Sequence, residues 1–435
     1  MGTARIIGVY CTLGNDASEK RERRAGSITP VKNPADLPLQ VETRNRTGAA
    51  ASLLWAALCF AINFLYAVYL AGIGVILEPM GRAFGLGAAA QARLFPANFA
   101  GMVVSVLLCG FLSDRFGRRR VLLTTTALYA AALVLFGIAP VFGLALLAAA
   151  FIGAGSGGMQ TVANALVADV FAERQKVMVN AAQIAFGAGA VCGPLVASRL
   201  LALGTDWRTL YLLLSVLIVL LLVAIAALPP VPITSRTGKM DMTALRGVVG
   251  QPVFWSLCLA AALYAGAEVG FFQWMPTYFH LRLPDGDRWA GIIVSIFWTG
   301  MTLGRVAAGG LISRIPLLRL RAMLSAAGGL CAAATVLFPW PGSTIAFVAL
   351  TGLCFGGIFS LILSEAGESF PQATGTVFGG VVAMSGVGTA VIPWAIGTLA
   401  VTALDWRGAL SLVALCAFAV AANAVMMGSK RLIHR

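Results

Sequence analysis

Glu268 is an acidic residue near the centre of a long apolar run, residues 253–279. Tyr264 lies four residues before it, so the two side chains share one helix face, and Gln273 and Trp274 follow about a turn later. An acid in hydrocarbon is costly unless it faces a partner or a water-filled cavity. Such a group can exchange protons, accept hydrogen bonds from a solute, or hold a neighbouring helix. We expect Glu268 to bind the solute, and it is the candidate for proton coupling.

Two further apolar runs carry polar side chains at helical spacing. Asn63 and Tyr66 lie three residues apart in the first run, and Gln160 and Asn164 lie four residues apart in the fourth. Each pair therefore shares one helix face. Polar faces of this kind in hydrocarbon are candidates for lining a solute pocket. An interhelical hydrogen bond explains Asn164 or Tyr66 equally well.

The eighth apolar run contains Trp298, followed by Arg305. We expect Arg305 to pair near the cytoplasmic side, with Glu365 or with the carboxyl end of a helix, and contact with a substrate anion is the weaker alternative. An aromatic ring such as Trp274 or Tyr66, stacked on the apolar face of a sugar, would complete the pocket. The predicted substrate-binding set is Asn63, Tyr66, Gln160, Asn164, Tyr264, Glu268, Gln273, Trp274 and Trp298.

The elements that carry these residues must be membrane-spanning helices. Of 435 residues, 59% are hydrophobic and 11% are charged, whereas a soluble domain carries about 25% charge. A span needs about 20 apolar residues, and we therefore predict an all-α integral membrane protein with twelve transmembrane helices. The third and fourth runs, and the ninth and tenth, are separated only by short breaks containing proline, so fusing either pair would change the count. The runs are residues 51–77, 92–112, 121–139, 142–168, 178–201, 209–228, 253–279, 289–312, 322–338, 344–364, 376–402 and 407–428.

The basic residues predict orientation. The net charge is +14, which on its own would suit a nucleic-acid partner. If the amino terminus is cytoplasmic, however, the inside segments hold 23 of the 31 Lys and Arg residues. This positive-inside bias places both termini in the cytoplasm of a plasma (inner) membrane protein. We expect the lipid bilayer as a partner and no nucleic acid.

Neither a metal site nor an enzyme is expected. Seven of the eight cysteines fall inside predicted spans, there is no C-x-x-C, and two histidines are too few for a histidine-based metal site. The sequence shows no glycine-rich phosphate loop and no nucleophile beside a base. We therefore expect no cofactor.

The two halves of the chain repeat each other at an offset of 199 residues. Because this offset spans six helices, an even number, both copies enter the membrane with the same polarity. The prediction is two parallel six-helix bundles. The aligned features include Gly153 with Gly352, Pro194 with Pro393, and the tripeptide D-W-R at 206–208 with that at 405–407.

The repeat also divides the chain into domains. The amino-terminal bundle covers residues 49–228 and the carboxyl-terminal bundle residues 252–428, joined by a polar cytoplasmic linker at 229–251. Residues 1–48 are polar and rich in Ser, Thr and Pro, which predicts a disordered cytoplasmic tail. Residues 429–435 form a second cytoplasmic tail.

A charged hairpin joins the second and third runs, with residues 110–120 reading G-F-L-S-D-R-F-G-R-R-R. It resembles the loop signature of the major facilitator superfamily, G-x-x-x-D-R-x-G-R-R, between its second and third helices. The acid can face the positive amino end of a helix or pair with a nearby arginine. An ordinary cytoplasmic turn is the alternative. The resemblance implies a gating loop formed by Gly110, Asp114, Arg115, Gly117 and Arg118, and a central cavity lined by the first, fourth and seventh helices.

Glycine and proline are concentrated in the fifth and eleventh spans. Small residues permit close helix contact and prolines permit bending. A conformational hinge and simple tight packing are equally good interpretations. The predicted hinge residues are Gly189, Gly193, Pro194, Gly388 and Pro393.

Three short motifs resemble the fucose permease-like (fucose:proton symporter) branch of this superfamily. They are Y-A-G-A-E at 264–268 followed by Trp274, F-W-T-G-M-T-L-G-R at 297–305, and the G-x-G…Q-T-x-x-N pattern at 153–164. Proton-coupled sugar porters of this branch tend to carry an acid where Gln160 stands. This difference leaves open a uniporter, or a site coupled only through Glu268.

We expect the protein to transport a small polar, sugar-like solute by alternating access, and to act as a monomer. Protons are a second partner if the transporter is a symporter. A drug–proton exporter of the same superfamily is an alternative, because Gly189-x-x-x-Gly193-Pro194 resembles part of the exporters' fifth-helix motif. Ala197 and Ser198 replace the closing glycines of that motif. A non-transporting solute receptor is the alternative from another class.

Overall fold

Helices dominate the structure, because a helix satisfies its own backbone hydrogen bonds where water is absent. The computed structural model describes residues 38–171, 174–228, 247–282, 286–338, 340–371, 373–402 and 404–433, and no strand occurs among them. The helices are α1 Pro38–Phe84, α2 Ala88–Gln91, α3 Leu94–Phe116, α4 Arg118–Gly137, α5 Phe142–Val170, α6 Gln175–Ala202, α7 Arg208–Ala227, α8 Pro252–Arg282, α9 Gly286–Leu311, α10 Leu317–Leu337, α11 Pro341–Phe355, α12 Ile358–Ser369, α13 Thr374–Thr402 and α14 Trp406–Ile433.

Twelve stretches of the described chain are long and apolar enough to cross a membrane. Helices α2 and α3 form one of them together, as do α11 and α12. Helix α4 ends before Pro140 and α10 ends before Pro341, so both doubtful pairs of runs are separate spans. The predicted all-α membrane fold with twelve transmembrane helices is confirmed.

Parts of the predicted tails and linker lie outside the described residues. These parts are residues 1–37, 229–246 and 434–435. Within the predicted first tail, residues 38–48 belong to helix α1, which begins before the first apolar run. The domain boundaries stay a prediction.

The two halves pack by the same scheme, as the repeat predicts. In the first half α5 packs on α3 and α4, and α4 packs on α7. In the second half α11 packs on α9 and α10, and α10 packs on α14. Between the halves, α6 contacts α9, and α3 contacts α13.

Matched glycines explain why the helices of each half approach so closely. A Cβ atom on Gly153 would overlap the carbonyl oxygen of Asn98 in α3, and one on Gly352 would overlap that of Phe297 in α9. These backbone contacts leave no room for a side chain. The matched glycines therefore fix the same helix pair in both halves.

The repeated D-W-R tripeptide begins the last helix of each half. The Asp206 carboxylate accepts a hydrogen bond from the Arg208 backbone N–H at 2.8 Å, and the Asp405 carboxylate accepts one from the Gly408 N–H at 2.9 Å. An aspartate at this position satisfies a backbone donor at the helix start. The tryptophan of each tripeptide is buried.

A sharp turn at Gly117 joins α3 to α4. Its backbone has φ +86°, a region that glycine occupies at little cost. We call the end of the bundle that contains this turn the hairpin face. The other end, which contains both D-W-R tripeptides, is the opposite face.

Candidate functional site

Two amide side chains meet between α1 and α5. Asn63 is fully buried, and its Nδ2 donates to Asn164 Oδ1 at 3.1 Å and to the Cys59 carbonyl at 2.9 Å. Gln160 lies one turn before Asn164 and is half-buried. The interhelical hydrogen bond considered for Asn164 is present, and it still leaves the buried Asn63 Oδ1 accepting no hydrogen bond from the described residues. A buried acceptor of this kind usually has a hydrogen-bond donor beside it, and the predicted role of Asn63 in solute binding stays a prediction.

A row of aromatic rings crosses from the first half to the second. The centroid of Tyr66 lies 6.0 Å from Phe186, that of Phe186 lies 5.5 Å from Trp298, and that of Trp298 lies 5.3 Å from Phe272. The Tyr66 hydroxyl contacts the Met102 sulfur at 3.6 Å. These rings belong to α1, α6, α8 and α9, so the row joins both halves. We name Tyr66, Phe186, Trp298 and Phe272 the aromatic row.

Phe186 was missed by sequence reasoning. It lies in the glycine-rich fifth span and has no polar atom, so the search for polar groups in hydrocarbon passes over it. Only the packing of α6 against α9 shows that it connects Tyr66 with Trp298. A search for aromatic residues near the middle of every span could have found it.

Tyr264 and Glu268 form a second polar group, on α8. The Tyr264 hydroxyl donates to the Phe355 carbonyl at 2.8 Å, at the point where α11 ends. Glu268 is half-buried, lies close to Tyr264, and is within electrostatic range of Arg305 on α9. The predicted pair on one helix face is therefore adjacent in space and has a cationic neighbour.

Gln273 and Trp274 serve contacts between helices in this conformation. Gln273 is fully buried and donates to the Leu70 carbonyl of α1 at 3.0 Å, across the two halves. The Trp274 indole donates to the Pro393 carbonyl at 2.8 Å and packs against Phe95. The Trp274 ring is buried in this conformation, and the predicted stacking of this ring on a solute stays a prediction.

The two halves are closed between the aromatic row and the opposite face. Besides the contact of Gln273 with α1, the Ser295 hydroxyl of α9 donates to the Val191 carbonyl of α6 at 2.7 Å. A Cβ on Gly74 would lie 2.6 Å from the Gln273 carbonyl oxygen. The backbones of α1 and α8 therefore touch at this level.

The predicted gating loop is held by arginines of α4. Arg118 Nε lies 2.7 Å from Asp169 Oδ2 at the end of α5, and Arg119 donates to the Ala226 carbonyl at the end of α7 at 2.7 Å. Arg115 is exposed. The side chain of Asp114 and the surroundings of Gly110 lie outside the described part, so the predicted contacts of Asp114 stay a prediction.

The predicted hinge glycines lie at close helix contacts. A Cβ on Gly189 would overlap the Phe64 carbonyl, and one on Gly388 would overlap the Ala262 carbonyl. Gly193 meets Val68 of α1 in the same way. Pro194 and Pro393 lie inside α6 and α13. These contacts explain the glycines by packing, and the hinge stays a prediction.

Glu365 pairs with Arg321 rather than with Arg305, contrary to the expectation from the sequence. Arg321 Nε lies 2.9 Å from Glu365 Oε1, and both side chains are fully buried. Arg321 also donates to Asn423 Oδ1 at 3.0 Å, and Asn423 donates to the Ser256 hydroxyl at 2.8 Å. The pair holds α10, α12 and α14 together inside the second half.

Among the described residues, no group of three or more His, Cys, Asp or Glu side chains could hold a metal ion. The polar groups that the structure brings towards the centre are amides, a phenol, a carboxyl group and a guanidinium. Together with the aromatic row they are suited to hydrogen bonding and stacking rather than to covalent chemistry.

Residues 58–379 match the family model described as Major Facilitator Superfamily. A 4-hydroxybenzoate transporter of Pseudomonas aeruginosa is 33% identical over 178 residues, which cover 40% of this chain and only 39% of that protein. A cis,cis-muconate transport protein of Acinetobacter baylyi is 22% identical and matches 73% of this chain and 80% of that one. A glucose/mannose transporter of Bacillus subtilis is 22% identical and matches 69% and 76%.

Solved structures show the same fold. The D-xylose–proton symporter superposes with a TM-score of 0.72 at 16% identity, covering 86% of this chain and 96% of that one. The Escherichia coli fucose:proton symporter superposes with a TM-score of 0.61 at 18% identity, covering 86% and 99%. The relatives and structures are transporters and not enzymes.

Proposed function

Since the chain belongs to the major facilitator superfamily and is a transporter of small solutes, we propose that it binds one small polar solute between its two halves and releases it by alternating access. The aromatic row carries this proposal, because its rings come from both halves. A solute held by such a row contacts each half at once. Rocking of the halves about the solute then exposes it to one side and afterwards to the other.

The solute that this site suits has a flat apolar face and hydrogen-bonding groups at its rim, as a sugar has. Tyr66 and Trp298 supply aromatic surface, and Asn63 with Asn164 supplies amide groups beside it. Gln160 and Glu268 complete the polar rim. A glucose/mannose transporter among the relatives supports this class.

An aromatic carboxylate is the second candidate. Arg305 lies near Glu268, so a guanidinium is available for an anionic solute once the two halves rearrange. The 4-hydroxybenzoate transporter among the relatives supports this candidate, and the cis,cis-muconate transport protein, whose solute has two carboxylates but no ring, supports an anionic solute only. In this case the aromatic row would stack on the ring of the solute, and Arg305 would bind the carboxylate.

Proton coupling through Glu268 is a further part of the proposal. Tyr264 has a single hydroxyl proton, which it donates to the Phe355 carbonyl. Glu268 lies close to this hydroxyl and to the Arg305 guanidinium. A carboxyl group with such neighbours is suited to exchanging a proton as the two halves move. The Glu268 carboxyl group would then be protonated in one state of the transport cycle and ionised in another. We place the protein in the inner membrane as a monomer, with both termini and the hairpin face in the cytoplasm.

Counterflow in proteoliposomes tests the proposal. Vesicles loaded with unlabelled solute are offered labelled sugars, aromatic acids and drugs, with and without a proton gradient. We expect uptake of one polar class and its loss in Trp298→Ala, while Trp255→Ala, on the exposed start of α8, transports normally. Uptake of hydrophobic drugs alone would support an exporter. Binding without any uptake would support a receptor and contradict the proposal.

A further inference from the structure

A cavity opens between the two halves at the opposite face. It has a volume of about 590 Å³ and is lined by α1, α6, the loop before α7, α8 and α9. Its wall is mainly apolar and includes the charged or titratable residues Glu78, Arg82, Asp206 and His280. This cavity lies on the far side of the closed contact between Gln273 and α1, and is separate from the aromatic row.

Glu78 of α1 faces His280 of α8 in this cavity. His280 Nε2 lies 3.6 Å from Glu78 Oε1, and the two side chains are 28% and 24% exposed. The second carboxylate oxygen of Glu78 lies 2.7 Å from Arg82 Nη2 on its own helix. The contact between Glu78 and His280 therefore joins the two halves and is open to the medium on this side.

The charged groups around His280 are few. On α1 they are Glu78 and Arg82, and in the loop before α7 Asp206 lines the same cavity. On its own helix, Arg282 lies 2.9 Å from Asp405 of the loop before α14. The Gly408 backbone N–H and the Arg282 guanidinium hold the pKa of the Asp405 carboxyl below its usual range, so Asp405 keeps its charge at neutral pH.

The adjoining helix α9 contributes an uncharged residue, Ala290, to the cavity wall. The side chains of Asp287 and Arg288 at its start lie outside the described part. Of the described groups around this cavity, His280 is the one whose side-chain type changes charge between pH 5 and 8.

We propose that Glu78 and His280 form a proton-binding latch, in which a proton taken from the medium by His280 strengthens its contact with Glu78 and keeps the opposite face closed. The latch rests on the alternating access of the proposed function. Its ligand is a proton, and its site is distinct from Glu268. Proton uptake here sets how often the opposite face opens, whichever solute is carried.

The position of the pair links it to the opening of this face. Glu78 lies one helical turn beyond Gly74, whose backbone touches Gln273, and His280 lies two turns beyond Gln273. Opening the opposite face must separate α1 from α8 at this level, which also separates Glu78 from His280. A positive charge on His280, which attracts the Glu78 carboxylate only while the two helices are joined, therefore favours closure.

The expected size of the effect is modest. Both side chains are about a quarter exposed, and ion pairs of this kind are weak because water screens them. We expect the ratio of the closed to the open population to rise about two- to fivefold when the pH on this side falls from 7.5 to 5.5.

Distances between spin labels in nanodiscs test the latch without a known solute. Labels at Leu203 and Leu281 lie on different halves at the opposite face, and both side chains are exposed. The native cysteines are replaced in this background. The short distance should gain population at pH 5.5, and this response should vanish in His280→Gln and in Glu78→Gln. His434→Gln, which removes the other histidine of the chain, should keep the response.

A permanently charged replacement of His280 gives a second test, which does not depend on the folding of the neutral variants. His280→Lys keeps its charge at both pH values and should hold the short distance at both. The latch is overturned if the pH response persists in His280→Gln. It is also overturned if the parent protein populates two distances but shows no pH response. Neither outcome contradicts alternating access. A single distance under every condition, solute included, contradicts the proposed function as well.

Discussion

Removal of the Glu365 carboxylate should destabilise the second half more than any comparable change at the protein surface. Arg321 and Glu365 are both fully buried at 2.9 Å, and the guanidinium holds Asn423 of α14 as well. In Glu365→Ala a buried positive charge loses its carboxylate, and this class of change lowers the free energy of unfolding by about 3–5 kcal/mol. At roughly 1–2 °C per kcal/mol for a chain of this size, the unfolding midpoint should fall by about 3–10 °C.

The first half offers a matched control. Arg118 and Asp169 also pair a helix start with the end of a neighbouring helix, but their side chains are 18% and 29% exposed. Asp169→Ala should therefore cost only about 0.2–1 kcal/mol, because solvent already screens this pair. Thermal unfolding of both variants is compared in the same detergent, and the loss of the monodisperse peak is the measure of unfolding.

A double variant separates the loss of charge pairing from the loss of packing. Arg321→Leu combined with Glu365→Leu removes both charges, so most of the stability should return, because apolar residues can replace a buried ion pair at little cost. The reasoning is refuted if Glu365→Ala unfolds no earlier than Asp169→Ala, or if the double variant is less stable than Glu365→Ala.

Four further outcomes are expected. Glu268→Gln should lower the uptake or abolish its pH dependence while the protein still inserts, and uptake across pH 5 to 8 equal to that of the parent would contradict a coupling role. Gly153→Ala should lower folded yield, since its Cβ would overlap a backbone carbonyl, whereas Gly143→Ala, with nothing within 4 Å, should not change the yield by more than about 20%. Asp114→Asn should slow counterflow about tenfold or more with less than about threefold change in solute affinity, and the reverse pattern would remove the loop from gating. Deletion of residues 2–45 should leave transport unchanged, and complete loss of transport would favour a receptor.

Most of the fold could be predicted from hydropathy and the internal repeat. Lipid contains no water to satisfy backbone groups, so a run of about 20 apolar residues has no stable alternative to a helix. The repeat at 206–208 and 405–407 then predicted matching halves, and the matched contacts of Gly153 and Gly352 follow from it. The start of α1 at Pro38 could not be predicted, since polar residues 38–48 give no hydrophobic signal.

The candidate site was predicted less completely. Spacing along one helix brought out Tyr264 with Glu268 and Gln160 with Asn164, because residues three or four apart share a helix face. It does not say which neighbouring helix each face meets. For this reason Gln273 and Trp274 were placed in the pocket, while the structure shows them in contacts between helices, and Phe186 was overlooked.

Hydropathy and the internal repeat are sufficient to predict a membrane protein of twelve helices in two similar halves, because both are properties of neighbours along the chain. The packing of the helices was needed to show that Glu365 pairs with Arg321, that Phe186 links Tyr66 to Trp298, and that Glu78 meets His280. Each of these contacts joins residues of different helices. Their distances depend on how the helices cross, and the period of a single helix carries no information about that.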